Sequence, residues 1–362
     1  MTFFLHISKK STTFALGNSI KMKTNDPNMD FLQTLAEYHR LGIVEQIDYK
    51  KFYLYSIITH STAIEGSTVT EIENQLLFDE GITAPGRTLQ EQMMNLDLKA
   101  AYDEAQRLAT KHADYSVELL CRLSALVMKN TGSAYNTPLG AFSAANGDLR
   151  LVNVTAGFGG RSYLTYQKVP QALQDFCCWL NSERKNLRSE DILSTYNLSF
   201  IAHYRLVSIH PWADGNGRMS RLVMNMLQWE FGLVPVKVLK EQKNEYIQAL
   251  NDTRNQADET IFPSVMLRLH HQNLQAEIHA FVTSQEEETT PKIAKTTQKT
   301  VKTTQKILDV ISKEPTISRT KLANICGISP DGVKWQLKKL QGQGKIIHIG
   351  PAKGGHWEII TI

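Results

Sequence analysis

The twelve residues from His210 to Arg221, His-Pro-Trp-Ala-Asp-Gly-Asn-Gly-Arg-Met-Ser-Arg, end one helical stretch and open another, and so fix the corner around which the chain must fold. Pro211 disfavours further helix at the residue before it, so the stretch from Ile192 stops at His210. Gly215 and Gly217 permit backbone angles closed to other residues, and a turn built on them aims successive amides into one concavity. An apolar period follows, with Leu222, Val223, Met226 and Leu227 spaced for one buried helix face. The turn therefore lies at a helix N-terminus, where free N–H groups and the macrodipole attract anions. Arg218 and Arg221 add guanidinium forks that match phosphate oxygens. Asp214 reads as a ligand for the divalent cation that accompanies nucleotide phosphates. His210 supplies an imidazole suited to proton transfer near neutrality.

Taken singly, each part has a commonplace explanation. A helix-terminal histidine is usually a dipole partner, Gly-Asn-Gly a plain turn, and Arg-x-x-Arg a solvated face. Their order within twelve residues makes a phosphate-handling site the better reading. The chain has neither Gly-x-x-x-x-Gly-Lys-Ser/Thr nor a Gly-x-Gly-x-x-Gly turn opening a helix after a strand.

His210 to Arg221 resembles the signature of Fic-domain proteins, His-Pro-Phe-x-Asp/Glu-Gly-Asn-Gly-Arg-x-x-Arg, with Trp212 at the phenylalanine position. The resemblance implies a mainly α fold, a Fic-type helical bundle with a β-hairpin flap. It also implies transfer of AMP from ATP to a Tyr, Thr or Ser hydroxyl of a target protein, which is AMPylation. In that scheme His210 deprotonates the hydroxyl and Asp214 holds Mg²⁺ or Mn²⁺. Gly215, Asn216 and Gly217 form the anion hole, Arg218 steadies the phosphates, and Arg221 meets the terminal one.

Upstream, Ser61-Thr-Ala-Ile-Glu65-Gly66 is similar to the family's autoinhibitory pattern Ser/Thr-x-x-x-Glu-Gly/Asn. Ser61 and Glu65 would share a helix face, with Gly66 at the helix end. The resemblance implies that Glu65 pairs with Arg221 and displaces the terminal phosphate; such charge-assisted pairs are roughly twice as strong as neutral hydrogen bonds. Within the family other phosphate-containing groups can be moved, and the reaction can be reversed with the glutamate positioning water, which would make Glu65 catalytic.

Residues 148–154 alternate as a strand would, and 157–166 read as its return, where the family places a flap that pairs with the target backbone. A plain surface hairpin is an equal reading. Asn244 to Asn251 resembles the helix beside the adenine pocket, making Tyr246 a residue for the base to stack on. Other regions read as amphipathic helices with a single β interruption at the flap; one begins at Thr88 and Glu91 as a capping box. His203, His270 and His271 read as packing or surface residues.

Apolar residues at 42% and charged ones at 21% are those of a globular chain, and no apolar run is long enough to span a bilayer. The lysines follow rather than precede the first apolar patch, against a signal peptide, and the expected location is cytoplasmic. Residues 1–28 are expected to be structureless, with Met22 or Met29 as alternative starts. The Fic region spans 29–283, with the inhibitory helix at about 50–66 and the flap at about 148–167; residues 284–300 form a linker. From Pro291 to Ile362, thirteen Lys and Arg stand against four Asp and Glu, a net +9 in a chain of +4, leaving −5 for the rest.

Residues 301–362 resemble a small winged helix-turn-helix domain, with Ser329 and Pro330 opening a recognition helix that carries Asp331, Lys334, Trp335 and Lys338. DNA contact through phosphates and a protein-docking role both fit that module. The expected partners are ATP, a metal and a target protein, with self-modification, DNA and a homodimer open beside them. The competing class is a transcriptional regulator in which the Fic region senses nucleotide; an intact His210 favours the enzyme, since sensing needs no base.

Overall fold

Residues 26–156, 160–188, 190–289, 306–326, 330–342, 345–350 and 355–360 are described by a computed structural model. The chain divides into two compact units, the first ending at Ile278 and the second beginning at His279.

In the first unit, helix α1 (Pro27–Arg40) starts where the Asp26 side chain accepts the Asn28 amide at 3.0 Å, with Pro27 in the first turn. This corrects the expected structureless segment at its end, since 26–28 are ordered by a cap; residues 1–25 lie outside the described residues. Helices α2 (Tyr49–Ile64), α3 (Glu71–Glu80), α4 (Leu89–Thr110) and α5 (Val117–Val127) follow. The capping box expected at Thr88 is present, with reciprocal bonds between Thr88 and Glu91. Helices α6 (Val169–Lys185), α7 (Ile192–Ile209), α8 (Asn216–Glu230) and α9 (Lys243–Gln256) come next, and α10 (Ile261–Thr289) begins in this unit and runs past its end at Ile278. The first residues of the expected 284–300 linker are therefore helical, and the remainder lies outside the described residues.

Helix α8 is the centre of the unit, packed against α7 and α4. The sequence suggests one buried face, but α8 is buried all round: Met219, Leu222, Val223, Met224, Met226 and Leu227 are inaccessible to solvent. In its second half the buried amides are tolerated inside because they are paired. Asn225 bonds Tyr102, Gln228 and the Val236 carbonyl, and Gln228 bonds Ser199 and the Val236 amide.

The β content departs from expectation. Strands β1 (Ala134–Thr137) and β2 (Gly140–Ser143) form an antiparallel hairpin that the alternation did not suggest. Residues 148–154, expected as a strand, are not one. Arg150, which reads as an outward polar position, is buried, so its alternation with Leu149 and Leu151 does not mark a half-exposed strand. The flap is reduced to an isolated bridge between Thr155 and Ser162 with flanking backbone bonds, and 157–159 lie outside the described residues.

In the second unit, a helix over 306–313, here α11, precedes α12 (Arg319–Cys326), α13 (Pro330–Gly342) and an antiparallel hairpin of β3 (Ile346–Ile349) and β4 (His356–Ile359). Ile307, Ile311, Ile317, Leu322, Val333, Leu337, Leu340 and Ile346 form its core. Three helices and a hairpin on one core make a winged helix. Lys334 and Lys338 are exposed on α13, whereas Ser329 and the Asp331 and Trp335 side chains lie outside what is described. Among the described residues no helix is long and apolar enough to cross a membrane.

Candidate active site

The turn between α7 and α8 is held from inside. His210 caps α7 in the left-handed region, φ 53° and ψ 62°, its amide bonding the Leu206 carbonyl at 3.1 Å. A non-glycine residue there costs about 1–2 kcal/mol and persists only where its surroundings hold it. Trp212 is fully buried, its indole N–H donating to the Gly147 carbonyl at 3.1 Å. The Asn216 side chain bridges the turn, accepting the Trp212 amide at 3.1 Å and donating to the Trp212 carbonyl at 2.8 Å. The Asn216 side chain is therefore engaged, and only its backbone N–H is left to face an anion.

Gly215 takes φ 81° as the cap of α8. Gly217 corrects the sequence argument, because it is helical. Its lack of a side chain serves close approach: a Cβ there would lie 2.7 Å from Glu65 Oε1. The amides of Asn216, Gly217 and Arg218 open α8 and have no carbonyl four residues back within it; the first such bond runs from Met219 to Gly215 at 2.9 Å.

The two arginines differ sharply. Arg218 is 2% exposed, its Nε and Nη1 have no hydrogen-bond partner, and Nη2 meets only Met128 Sδ at 3.0 Å. Its nearest carboxylate, Asp214, stands 3.6 Å away with a side chain 63% exposed. Burial pulls the Arg218 pKa down, against the opposing charge of Asp214. A buried cation left this short of partners is suited to receive an anion. Arg221, by contrast, makes four hydrogen bonds. Its Nε donates to Ser61 Oγ at 2.8 Å, its Nη2 to the Ser61 carbonyl at 3.0 Å and to Glu65 Oε1 at 2.5 Å, and its Nη1 to Tyr246 Oη at 3.3 Å. Burial opposes the charge on Arg221, but Tyr246 and Glu65 outweigh it and the pKa is raised; burial likewise opposes ionisation of Glu65, which Arg221 overcomes. Glu65 caps the end of α2 with its side chain 32% exposed, followed by Gly66 at φ 105°.

The His210 pKa is lowered to about 4, first by burial and then by the nearby charges of Arg150 and Arg254. Its Nδ1 lies 3.3 Å from the Val207 carbonyl, which can only accept, so Nδ1 carries the proton and Nε2 is the free base. Among the described residues no group of three or more His, Cys, Asp and Glu could hold a metal alone. One exposed carboxylate, Asp214, fits an ion that takes its other ligands from phosphates and water.

Residues 114–228 match the Fic/DOC family model. The chain carries a Fic domain. A winged helix-turn-helix DNA-binding model matches residues 302–347. A Caenorhabditis elegans protein named protein adenylyltransferase fic-1 is 27% identical over 237 residues, 65% of this chain and 43% of that protein. A Drosophila grimshawi protein named protein adenylyltransferase Fic is 30% identical over 204 residues, 56% of this chain and 38% of that protein. The chain thus spans less than half the length of these curated relatives. Among solved structures, a Fic domain containing signaling protein from Bacteroides thetaiotaomicron superposes with a TM-score of 0.58 at 18% identity, over 69% of this chain and 97% of that one, a likeness of fold.

Around the Fic loop the structure corrects one assignment and adds others. Tyr246 is not free to stack on a base: it is 1% exposed, set edge-on to His203 and Phe262, and its hydroxyl is engaged. Because Arg221 donates to the Tyr246 oxygen, Tyr246 donates to His203 Nε2 at 2.8 Å. Tyr246 and His203 therefore support Arg221 from behind, and burial holds the His203 pKa well below its ordinary value. Arg150 and Tyr163, neither singled out by the sequence, both contact His210. A buried arginine and an ordinary tyrosine in a loop carry no periodic or motif signal.

Proposed function

We propose that the chain is a protein adenylyltransferase that transfers AMP from ATP to a Tyr, Thr or Ser hydroxyl of a target protein, and that its own α2 helix holds it off. The observation that carries this reading is the Glu65 carboxylate, 2.5 Å from Arg221 and against Gly217, at the mouth of the α8 amides. A terminal phosphate drawn to Arg221 and those amides must compete with it. Arg218, buried and short of partners, receives the phosphates further in. His210 Nε2 takes the proton of the acceptor hydroxyl, whose oxygen bonds the α-phosphorus as the bond to the bridging oxygen breaks and pyrophosphate departs. Asp214 would hold Mg²⁺ or Mn²⁺, which when bound neutralises phosphate charge. The name printed for the curated relatives, protein adenylyltransferase, supports the same chemistry.

In this reading residues 29–283 form the catalytic region with the inhibitory helix at about 50–66 and the flap at about 148–167, and 301–362 offers Lys334 and Lys338 to DNA phosphates. The deciding experiment is mass spectrometry of Glu65→Gly protein after incubation with ATP and Mg²⁺. An AMP adduct on a hydroxyl residue, absent when His210→Ala is added and much weaker in the parent, is the expected result. No adduct in any variant, with or without candidate targets, would overturn the transfer; equal adduct in parent and Glu65→Gly would overturn the restraint.

A further inference from the structure

We propose that Arg150 and Tyr163, the latter backed by Arg254, are positioning residues that hold His210 in place and couple that placement to the flap segment. The inference rests on the reading of His210 as the base, and it starts from how completely Arg150 is spent. Its Nε donates to the His210 carbonyl at 2.7 Å, its Nη1 to the Val152 carbonyl at 2.7 Å and its Nη2 to the Leu164 carbonyl, while its own amide donates to the Pro211 carbonyl at 3.0 Å. One residue thus grips the left-handed corner at 210–211 and both legs of the flap. The side chain is 1% exposed, and every polar contact found for it is to a backbone carbonyl. Burying a guanidinium on carbonyls alone is a costly way to join two loops, and burial pulls its pKa down. That cost is consistent with a geometry that has to be held: His210 sits in a conformation it does not favour, and Arg150 fastens the carbonyl on its far side.

Tyr163 fastens the ring. It stacks on the imidazole with centroids 3.9 Å apart and planes inclined by 20°, and the Arg254 guanidinium lies 4.6 Å from the tyrosine centroid on a cation–π contact. Its amide donates to the Val154 carbonyl at 3.0 Å, so the same residue is stitched into the flap. Stacking together with the Nδ1 bond to Val207 fixes the tautomer in which Nε2 accepts a proton. The charged groups facing the imidazole are Arg150, Arg254 and Asp214. A shift of the flap is therefore felt at the base through two independent links, one to its backbone and one to its ring.

The test follows His210 by NMR in the full chain labelled with ¹⁵N-histidine, free of nucleotide, so that it needs no activity. The parent is expected to show the Nδ1–H tautomer and to stay neutral down to about pH 4. Arg150→Lys, which cannot reach three carbonyls with a single ammonium, and Tyr163→Ala should each mix the tautomers and move the titration toward the ordinary value of about 6.5. Tyr163→Phe keeps the ring and should leave both unchanged. In a Glu65→Gly background, Arg150→Lys and Tyr163→Ala should lower kcat for AMP transfer by about tenfold to a hundredfold with KM for ATP unchanged. Parental tautomer and titration in both variants, or a loss confined to KM, would overturn the proposal. Should Arg150→Lys fail to fold, Tyr163→Ala, a half-buried loop residue, decides alone. A changed tautomer with no AMP transfer in any variant would remove the adenylyltransferase reading and leave the positioning role standing.

Discussion

A methyl group on residue 217 would contest space that a carboxylate now fills. The Cβ of Gly217→Ala falls 2.7 Å from Glu65 Oε1 and 3.2 Å from Arg221 Nη1, while the helical backbone at 217 itself accepts alanine. Overpacking of this kind costs about 1–3 kcal/mol, and the cost should largely vanish when Glu65→Gly removes the struck atom. Urea unfolding of the parent, both single variants and the double variant measures that coupling; strictly additive changes would show that Glu65 does not rest on Gly217. At this scale the sequence is legible where function is contiguous. His210, Arg218 and Arg221 share one stretch of chain, and Ser61 with Glu65 share one helical turn. Arg150 and Tyr163 escape notice, and His203 reads only as packing or surface, because they act across folded distance: Arg150 reaches a carbonyl 60 residues on, and His203 meets a tyrosine 43 residues on. Gly217 is legible as essential but for a different physical reason, approach rather than backbone angle.

At the scale of the element, α2 is kept in register by a buried polar knot. Thr62 donates to Asn95 Oδ1 at 2.8 Å, Asn74 donates to Asn95 Oδ1 at 2.8 Å and to Thr59 Oγ1 at 2.7 Å, and Asn95 donates to Ser67 Oγ at 3.2 Å. Asn95→Ala leaves Thr62 and Asn74 short of partners inside the protein, which should cost about 2–3 kcal/mol. Loosening the end of α2 that presents Ser61 and Glu65 should also raise AMP transfer above the parent and below Glu65→Gly. Lower stability with unchanged transfer would make the knot purely structural. Helix identities were readable from period and caps, as at Thr88, but two element-level inferences failed for one reason. Burial of a polar residue breaks the link between alternation and exposure, and this happens at Arg150 in the expected strand and at Asn225 and Gln228 in α8.

At the scale of the whole molecule, burial among the described residues lowers the pKa of His271 and keeps three more deeply buried histidines neutral: His203 well below its ordinary pKa, His210 at about 4 and His270 at about 3. Between pH 6.5 and 4 the unfolded chain binds protons that these folded residues refuse, so stability falls as pH falls through that window. From pH 7 to 5.5 the loss should be on the order of 3 kcal/mol, read from urea midpoints, and a flat profile would contradict the neutral assignments. The charge division between the Fic region and the tail was visible in composition alone, and the winged-helix core shows why it matters: it leaves Lys334 and Lys338 exposed on α13. Lys334→Glu with Lys338→Glu in the full chain should weaken retention of duplex DNA and reduce its salt dependence, with retention unchanged arguing for a protein partner.

Glu65 is the C-cap just past the last residue of α2 rather than part of the helix body, and Ser61, one turn earlier, grips Arg221 independently of it. Withdrawing the carboxylate thus asks for the rotation of one partly exposed side chain, with the helix left in place as a splint for the arginine. Side-chain rotations take nanoseconds or less, whereas displacing a packed helix takes microseconds to milliseconds. The restraint proposed for Glu65 would then have no slow step of its own. In that reading latency is set by how often the carboxylate is at home, and a nucleotide would compete with it at every turnover.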